Sequence, residues 1–327
     1  MKFHYDSINI DAPAEAENII YNIKNLISTK LKKRGAVIGI SGGLDSSVVL
    51  ALCAKALGPK RVLGVMLPEK DSSGDSMLLA ENAARNYNVP VVVEDLTNAL
   101  RGFRCYFRRD EAVMKIFPEY NSSYKMKISL SSEKIERLNC FHITAISPEG
   151  IIKTERLPAE EYLQIMAASN LKQRSRMSLL YYHAERRNYA VIGTANKNEH
   201  ELGFFVKYGD GGSDIKPIAH LFKTQVYQLA SYLQVPENII LRTPTTDTYT
   251  AEQTQQEFFF QVPFKILDRV WYAMENGCSP SDTAEALGIS EQEVISIENN
   301  IKQKIKGTEY LRMDPLSVVQ KKEETIL

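Results

Sequence analysis

Apolar runs alternate with helix-like segments along residues 36–96, and this alternation constrains the fold more than any other feature of the chain. The strand-like runs lie at residues 36–40, 61–67 and 90–96, and the helix-like segments between them lie at 46–57 and 76–87. Strands that alternate with helices indicate a parallel sheet, because parallel strands need a long crossover connection. We therefore predict an α/β fold with a doubly wound parallel sheet.

Residues 101–160 interrupt this alternation. They contain a stretch rich in arginine and aromatic residues (RGFRCYFRR), a polar stretch (NSSYKMKISLSSEK) and a predicted hairpin at residues 140–157. Beyond them, helices are predicted at 14–33, 159–187, 223–233, 264–276, 280–287 and 291–305, and a strand at 189–193. We predict one α/β domain over residues 1–260, with 101–160 as an insert, and a C-terminal helical extension over 261–327 that packs on the same domain.

Charge and composition exclude several classes of protein. The chain has 40 basic and 40 acidic side chains, so no net field attracts nucleic acid or an anionic membrane. Its first residues lack the layout of a signal peptide, and no apolar run approaches the roughly 20 residues that span a bilayer. The four cysteines are scattered and suit free thiols. We expect a cytoplasmic protein that binds neither nucleic acid nor a membrane.

The stretch GISGGLDSS at residues 39–47 leaves the first predicted strand and opens the next helix. In a doubly wound sheet, ligands bind at this end of the strands. Gly42 and Gly43 let the backbone approach an anion, to which the serine hydroxyls and the helix N-terminus donate hydrogen bonds. Asp45 suits a Mg²⁺ ion that bridges a carboxylate and phosphate oxygens. A glycine-rich turn with a serine or aspartate cap is the alternative interpretation.

Sequence motifs elsewhere narrow the chemistry. The loop lacks the Walker A lysine and the GxGxxG spacing, and its SGGxDS pattern resembles the pyrophosphate loop of the ATP pyrophosphatases. Five further motifs follow in order: NLKQRSRM (170–177), GTANKNE (193–199), GFFVKYGDGGSDIKPI (203–218), LFKTQVYQLA (221–230) and VPENIILRTPT (235–245). Together the six motifs resemble the ammonia-dependent NAD synthetases, and the similarity covers residues 14–100 and 159–305.

The resemblance implies a Rossmann-like fold of the ATP pyrophosphatase type and a reaction in two steps. An enzyme of this family transfers AMP from ATP to the carboxylate of deamido-NAD, with Mg²⁺, and ammonia then displaces AMP to give NAD. The resemblance also implies a homodimer. The ammonia would come free from solution or from a separate glutaminase partner.

The resemblance also implies a role for each residue that matches a family motif. The implied ATP contacts are Gly39, Ile40, Ser41, Gly42, Gly43, Leu44, Asp45, Ser46, Ser47, Thr194, Lys223 and Thr245. The implied metal ligands are Asp45 and Glu199, and the implied contacts with deamido-NAD are Arg174, Lys207 and Asp214. Asp45 and Lys223 are expected to act in catalysis, and Asp210, or alternatively Asp214, to take the proton from ammonia.

Three departures from the family pattern fall on the side of the carboxylate substrate. The insert has four arginines among aromatic residues, which suit an exposed lid, an oligomer contact or a contact with a substrate phosphate. The run TPTTDTYTAEQTQQEFFF keeps Gln253, Thr254 and Glu257 but lacks the usual aspartate and glycine. Tyr310 and Leu311 stand where the family has a His-Lys pair. The ATP motifs are intact, so activation of a carboxylate is expected whichever acid is the substrate.

These observations leave three hypotheses. The first is an NAD synthetase, and the second is a paralogous amide synthetase that adenylates a different carboxylate. The third is a nucleotide-binding regulator without catalysis. Only the helix-turn-helix-like segment at residues 279–294 supports it, and the neutral charge favours a packing role for that segment over DNA binding.

Overall fold

The computed structural model describes residues 3–130, 141–245 and 249–318 of the chain. Its strands are β1 (Ala36–Gly39), β2 (Val62–Met66), β3 (Val91–Val93), β4 (Lys125–Leu130), β5 (Phe141–Ile146), β6 (Ile152–Arg156) and β7 (Ala190–Ile192). Its α-helices are α1 (Ala12–Asn25), α2 (Leu44–Leu57), α3 (Gly74–Asn86), α4 (Thr97–Gly102), α5 (Cys105–Met114), α6 (Ala159–Arg187), α7 (Lys197–Leu202), α8 (Lys223–Tyr232), α9 (Glu237–Ile240), α10 (Phe264–Glu275), α11 (Pro280–Leu287), α12 (Glu291–Gly307) and α13 (Glu309–Arg312).

The strands β3, β2, β1 and β7 form, in that order, one parallel sheet at the centre of the fold. Alternate residues of β1 point to opposite faces of this sheet. Ile38 packs with α1, α2 and α8, whereas Val37 packs with α6. Both faces are therefore covered by helices, which explains why the central strands are uninterrupted apolar runs. The predicted doubly wound α/β fold is confirmed.

The predicted elements of this sheet differ from the structure mainly at the third strand. It spans Val91–Val93 and not the whole of residues 90–96. β3 is an outer strand of the sheet, and Val91 and Val93 are 38% and 50% exposed. An apolar run at the edge of a sheet has fewer neighbours that fix its conformation than a run in the centre. The length of the run therefore does not predict the length of the strand.

The insert folds into α4, α5 and a second, antiparallel sheet of β4, β5 and β6. Within the described ranges the predicted hairpin is confirmed, because β5 and β6 pair with Ile146 opposite Ile152; residue 140 lies outside those ranges. The strand β4 is not predicted by the sequence. It buries Met126 and Ile128 at alternate positions, so the alternation of polar and apolar residues in KMKISL is a strand signal that the description of the stretch as polar overlooks.

A buried ion network ties the insert to the central sheet. Lys172 on α6 donates to Glu69 Oε1 at 2.9 Å and to Asp71 Oδ2 at 2.7 Å, in the loop that follows β2. From α5, Tyr106 donates its hydroxyl to Glu69 Oε2 at 2.7 Å, and Arg109 pairs with Asp71. Burial raises the pKa of Asp71, but Arg109 and Lys172 outweigh it and hold that pKa below its usual range. The arginine of this network is therefore neither part of a lid nor free to bind a substrate.

The C-terminal helices pack on the elements that follow the sheet. Asp268 on α10 accepts from Asn198 Nδ2 at 2.6 Å and from the backbone N–H of Thr224 at 2.8 Å. In the helix-turn-helix-like segment, Ala284 of α11 and Val294 of α12 pack against α10, as a packing role requires. Among the helices of the described ranges, none combines the length and the apolar character that crossing a membrane requires.

Replacing Lys172 by methionine is expected to destabilise the protein, because Glu69 then stays buried without its cation. The side chains of Lys172 and Glu69 are 3% and 0% exposed, and breaking such a buried pair costs about 3 kcal/mol or more of unfolding free energy. Urea unfolding of Lys172→Met measures this loss. The control is Lys115→Met, whose pairs with Glu160 and Glu161 are far more exposed, and it should unfold like the wild type. Equal stability of all three proteins would contradict the assignment.

Candidate active site

The site lies at the carboxyl ends of the central strands. A cavity of about 880 Å³ is lined by residues that directly follow three of them: Ser41 after β1, Leu67 after β2 and Thr194 after β7. The chain leaves β1 towards β2 on one side, whereas β7 pairs on the other side. This is the switch point in strand order where open α/β sheets bind their ligands.

The loop at residues 39–47 has a conformation that requires glycine. Gly42 has a φ of +73°, and a Cβ atom there would lie 2.5 Å from the carbonyl oxygen of Ser76. The hydroxyls of Ser46 and Ser47 donate to the carbonyl oxygen of Gly43 at 3.0 Å and 2.8 Å. Among the described side chains, none caps the N-terminus of α2. The N–H groups of its first turn are therefore available to an anion.

A smaller cavity of about 150 Å³ adjoins this helix N-terminus. Of the implied ATP contacts, it is lined by Ser41, Gly43, Leu44, Asp45, Ser46, Thr194, Lys223 and Thr245. Gly39 and Ile40 line the large cavity instead. Gly42 and Ser47 line neither cavity, and both act on the shape of the loop: Gly42 through its backbone, Ser47 through its hydrogen bond to Gly43.

Three ionisable groups, Asp45, Glu199 and Lys223, interact in the small cavity, which Arg242 also lines. Lys223, only 1% exposed, pairs with the carboxylate of Asp45, whose other oxygen accepts from Asn196 Nδ2 at 3.0 Å. Burial and the Asp45 carboxylate raise the pKa of Glu199 to about 8. Burial lowers the pKa of Lys223, but Asp45 and Glu199 outweigh it, so that pKa is raised and the lysine stays a cation.

The position of Glu199 follows from the helix that begins beside it. Asn196 caps α7 by accepting from the backbone N–H of Glu199 at 3.1 Å, and Glu199 Oε2 accepts in return from the N–H of Asn196 at 3.3 Å. This reciprocal capping box fixes the carboxylate of Glu199 at the wall of both cavities.

Asp45 and Glu199 are suited to share a cation. Across the described ranges there is no group of three or more His, Cys, Asp or Glu side chains that could enclose a metal. Mg²⁺ in nucleotide sites is usually held by one or two carboxylates and completes its shell with phosphate oxygens and water. The mutual repulsion of the two carboxylates, which raises the pKa of Glu199, is relieved by such a charge. The donor set therefore fits a magnesium ion that arrives with a nucleotide.

The residues implied in binding deamido-NAD are not all in one place. Arg174 and Lys207 line the large cavity, but Asp214 does not. The carboxylate of Asp214 accepts from the hydroxyl of Tyr181 at 3.1 Å and from the backbone N–H of Val191 at 2.8 Å, and it thereby holds the chain beside β7.

The ammonium group of Lys207 is bonded to the C-terminal segment. It donates to the carbonyl oxygens of Tyr310 at 2.9 Å and Met313 at 2.6 Å. Arg174 Nε in turn donates to the carbonyl oxygen of Lys207 at 3.3 Å. Tyr310 and Leu311, which stand where the family has a His-Lys pair, also line the large cavity.

Comparison with known proteins agrees with this geometry. A family model for NAD synthase matches residues 16–131 and 116–315. The chain belongs to the NAD synthase family. The NH(3)-dependent NAD(+) synthetase of Rhizobium rhizogenes is 42% identical over 314 residues, which cover 96% of this chain and 95% of the relative. The protein of the same name from Thermotoga maritima is 36% identical over 267 residues, 81% of this chain and 89% of the relative.

Two solved structures show the same fold. An NMN synthetase from Francisella tularensis superposes with a TM-score of 0.65 at 21% identity, over 94% of this chain and 99% of that chain. The NH3-dependent NAD synthetase from Campylobacter jejuni superposes with a TM-score of 0.61 at 21% identity, over 95% and 100% of the two chains. The identification of the chain as a member of the NAD synthetase family of enzymes, drawn from its six motifs, is confirmed.

In this NAD synthase the base candidate Asp210 is part of the glycine-rich turn beside the large cavity. Its carboxylate accepts from the backbone N–H of Val206 at 2.8 Å, and the residue is exposed. A carboxylate in this position is within the turn that lines the cavity and can act as a base.

Lys304 and Gln255 are among the polar residues of the site that sequence reasoning misses. Lys304 on α12 lines the large cavity and donates to the carbonyl oxygen of Phe259 at 2.7 Å, and burial lowers its pKa to about 8. Gln255 lines both cavities. Lys304 gives no signal, because it is one of several lysines on a helix. Gln255 lies in the run where the sequence is expected to depart from the family pattern. That departure draws attention to the run, but it does not indicate a role for Gln255.

Replacing Glu199 by glutamine should stabilise the metal-free protein increasingly as the pH rises. In the folded protein this carboxyl stays protonated up to about pH 8, whereas its ordinary pKa is 4.5, so the wild type loses stability as the pH rises between these values. Glutamine is neutral throughout. Urea unfolding of Glu199→Gln and wild type at pH 5, 6.5 and 8 measures the difference. Glu252→Gln, at an exposed glutamate, is the control and should show a difference that does not vary with pH. A gain that shrinks towards pH 8 would refute the assignment.

Proposed function

We propose that this NAD synthase adenylates the carboxylate of deamido-NAD with ATP and then transfers ammonia to it, giving NAD, AMP and pyrophosphate. One observation carries the proposal: the small cavity, which holds Lys223 and Asp45, and the large cavity share a wall. The residues that line both are Ser41, Thr194, Glu199, Thr245 and Gln255. A phosphate chain in one cavity and a carboxylate substrate in the other would meet at this wall. The names of the curated relatives support the same reaction.

The small cavity provides what pyrophosphate needs as a leaving group. The N–H groups at the start of α2 and the ammonium of Lys223 are fixed before the substrate arrives, so they stabilise negative charge on the phosphates without reorganising. Lys223 is held by Asp45 and Glu199 in a buried place, where its charge is poorly screened. Thr194 and Thr245 line the same space.

Asp45 and Glu199 would hold Mg²⁺ here. When bound, the ion would neutralise charge on the phosphate oxygens as pyrophosphate departs. The residues themselves orient the ATP chain, because both carboxylates are held in place. Asn196 and Lys223 fix Asp45, and the capping box at the start of α7 fixes Glu199.

The large cavity would hold the dinucleotide and receive ammonia. The cations that line it include Arg174, Lys207 and Lys304, which suit the carboxylate and phosphates of deamido-NAD. Ammonia attacks the acyl carbon of the adenylate, the bond from that carbon to the AMP oxygen breaks, and AMP leaves with the electron pair. Asp210 would accept the proton that the new amide nitrogen releases. The homodimer implied by the family is part of this proposal.

One observation favours a second candidate, an amide synthetase that acts on another carboxylate. Tyr310 and Leu311 replace the family's His-Lys pair at the wall of the large cavity, and Lys207 is engaged by the carbonyl oxygens of Tyr310 and Met313. A nucleotide with fewer phosphates would need fewer cations there.

Substrate assays separate the two candidates. The wild-type protein with ATP, Mg²⁺ and ammonia is given either deamido-NAD or nicotinic acid mononucleotide, and the amide product and AMP are measured by chromatography. We expect NAD and AMP in equal amounts, with a kcat/KM for deamido-NAD well above that for the mononucleotide. Amide formation on the mononucleotide alone would establish the second candidate. If neither acid causes AMP to be released, both acids are excluded as substrates.

Replacing Asp45 by asparagine should lower pyrophosphate release by at least about 100-fold, the loss typical of a removed electrostatic contact to a transition state. Asparagine can still accept from Asn196 but removes the counter-charge of the buried Lys223, so the variant should unfold at a lower temperature, and pyrophosphate release is measured well below that temperature. The control, Asp75→Asn, changes an exposed aspartate at the start of α3 and should turn over normally. Normal pyrophosphate release by Asp45→Asn would exclude Asp45 from the reaction.

A further inference from the structure

One face of α6 lines the large cavity along most of the helix. The residues of this face recur every three or four positions and are Tyr162, Met166, Ser169, Gln173, Met177 and Leu180. Leu180 lies at the end of β1, where a Cβ atom on Gly39 would be 3.4 Å from its Cδ1. Tyr162 precedes Leu180 by 18 residues, a distance of roughly 27 Å along the helix axis. The cavity is therefore elongated, with a near end at the central strands and a far end at the start of α6.

The far end of the cavity is built from aromatic side chains of separate parts of the chain. Phe141 of β5, in the insert, stacks on Tyr162 of α6, with the ring centroids 4.1 Å apart and the ring planes 18° apart. Both side chains are half-buried and both line the cavity. Tyr310 of α13, 63% exposed, lines it as well, and after burial it is the second cause of the raised pKa of Tyr162. A stacked pair covers only one face of each ring, so part of both rings stays accessible to a ligand.

The position of these rings indicates which part of a ligand they meet. The remainder rests on the proposed function, in which the acid reacts at the wall shared by the two cavities. That wall includes Ser41 and Thr194, which follow β1 and β7, so the pyridine ring that carries the acid belongs at the near end. The adenosine of ATP is expected there too, because Gly39 and Ile40 line the cavity at that end. The adenosine half of the dinucleotide therefore extends along α6, past Arg174, towards the far end.

The far end has the chemistry of a site for a base. Proteins hold bases by stacking them on aromatic rings, because every base has a π face. The amides of Asn170 and Gln173, which line the cavity farther along α6, can donate to and accept from the polar edge of a purine. We propose that Phe141 and Tyr162 form a stacking site for the adenine ring of the dinucleotide substrate. The site distinguishes deamido-NAD from nicotinic acid mononucleotide, which has the same acid but no adenosine.

Kinetics with the two acids test this site. Tyr162→Leu removes the ring but keeps an apolar side chain. We expect its kcat/KM for deamido-NAD to fall about tenfold, the loss of one stacking contact, whereas kcat/KM for the mononucleotide and the KM for ATP stay within threefold of the wild type. Tyr162→Phe keeps the ring and should behave as wild type. Tyr232→Leu, at a 45% exposed tyrosine of α8 that lines neither cavity, is the matched control and should also behave as wild type.

A second variant, Phe141→Leu, tests the same site from the insert and should show the same selective loss. Thermal unfolding checks that each variant is folded at the assay temperature. An equal fall in kcat/KM for both acids would mean that the rings only shape the cavity, and it would overturn the proposal. A raised KM for ATP alone would assign the rings to the adenine of ATP and overturn it too, as would unchanged kinetics of both variants. Wild-type protein that forms no NAD from deamido-NAD would refute the proposed function, and the adenine site with it.

Discussion

The buried ion pair between Lys223 and Asp45 is the interaction on which the arrangement of the site depends. It joins the start of α8 to the start of α2, and through Asn196 and Glu199 it also includes α7. A lysine buried to this degree is stable only with its counter-charges, and each carboxylate is stable only with the lysine. The three helix N-termini are therefore locked around one volume, and that volume opens onto the ends of the parallel strands. Burying these charges costs free energy of folding, because each of them loses its hydration.

Much of the fold could be predicted from the sequence, because its signals are local. β1, β2 and β7 are buried on both faces, so they are continuous apolar runs, and α6 agrees with its predicted bounds. The strand β4 is missed because its alternating run KMKISL is short and lies between polar residues, although Met126 and Ile128 are buried at alternate positions. Its pairing partner β5 and its contact with Gln253 are distant in sequence, so no local pattern reports them.

The same distinction applies to the site. Asp45 and Glu199 belong to motifs whose local structure, a glycine loop and a helix cap, places them at the cavity. Asp214 belongs to a motif too, yet its carboxylate is bonded to Tyr181 and Val191, and sequence order cannot show which way a side chain turns. Lys304 and Gln255 reach the cavity only because distant elements pack there, and no spacing along the chain encodes that. A motif thus identifies the residues of a site more reliably than it identifies their orientation.

The buried ion network has a consequence for how the chain can be divided. The insert supplies Arg109 and Tyr106 to Asp71 and Glu69, and its first strand supports the segment that carries Gln255. Deleting the insert would leave Glu69 and Asp71 with Lys172 as their remaining partner in this network, and it would remove the hydrogen bond from Gln253 that supports one wall of the site. The insert, although it lies outside the recognisable motifs, therefore supports the structure around the site. We expect that a shortened enzyme made of those motifs alone would not keep this site.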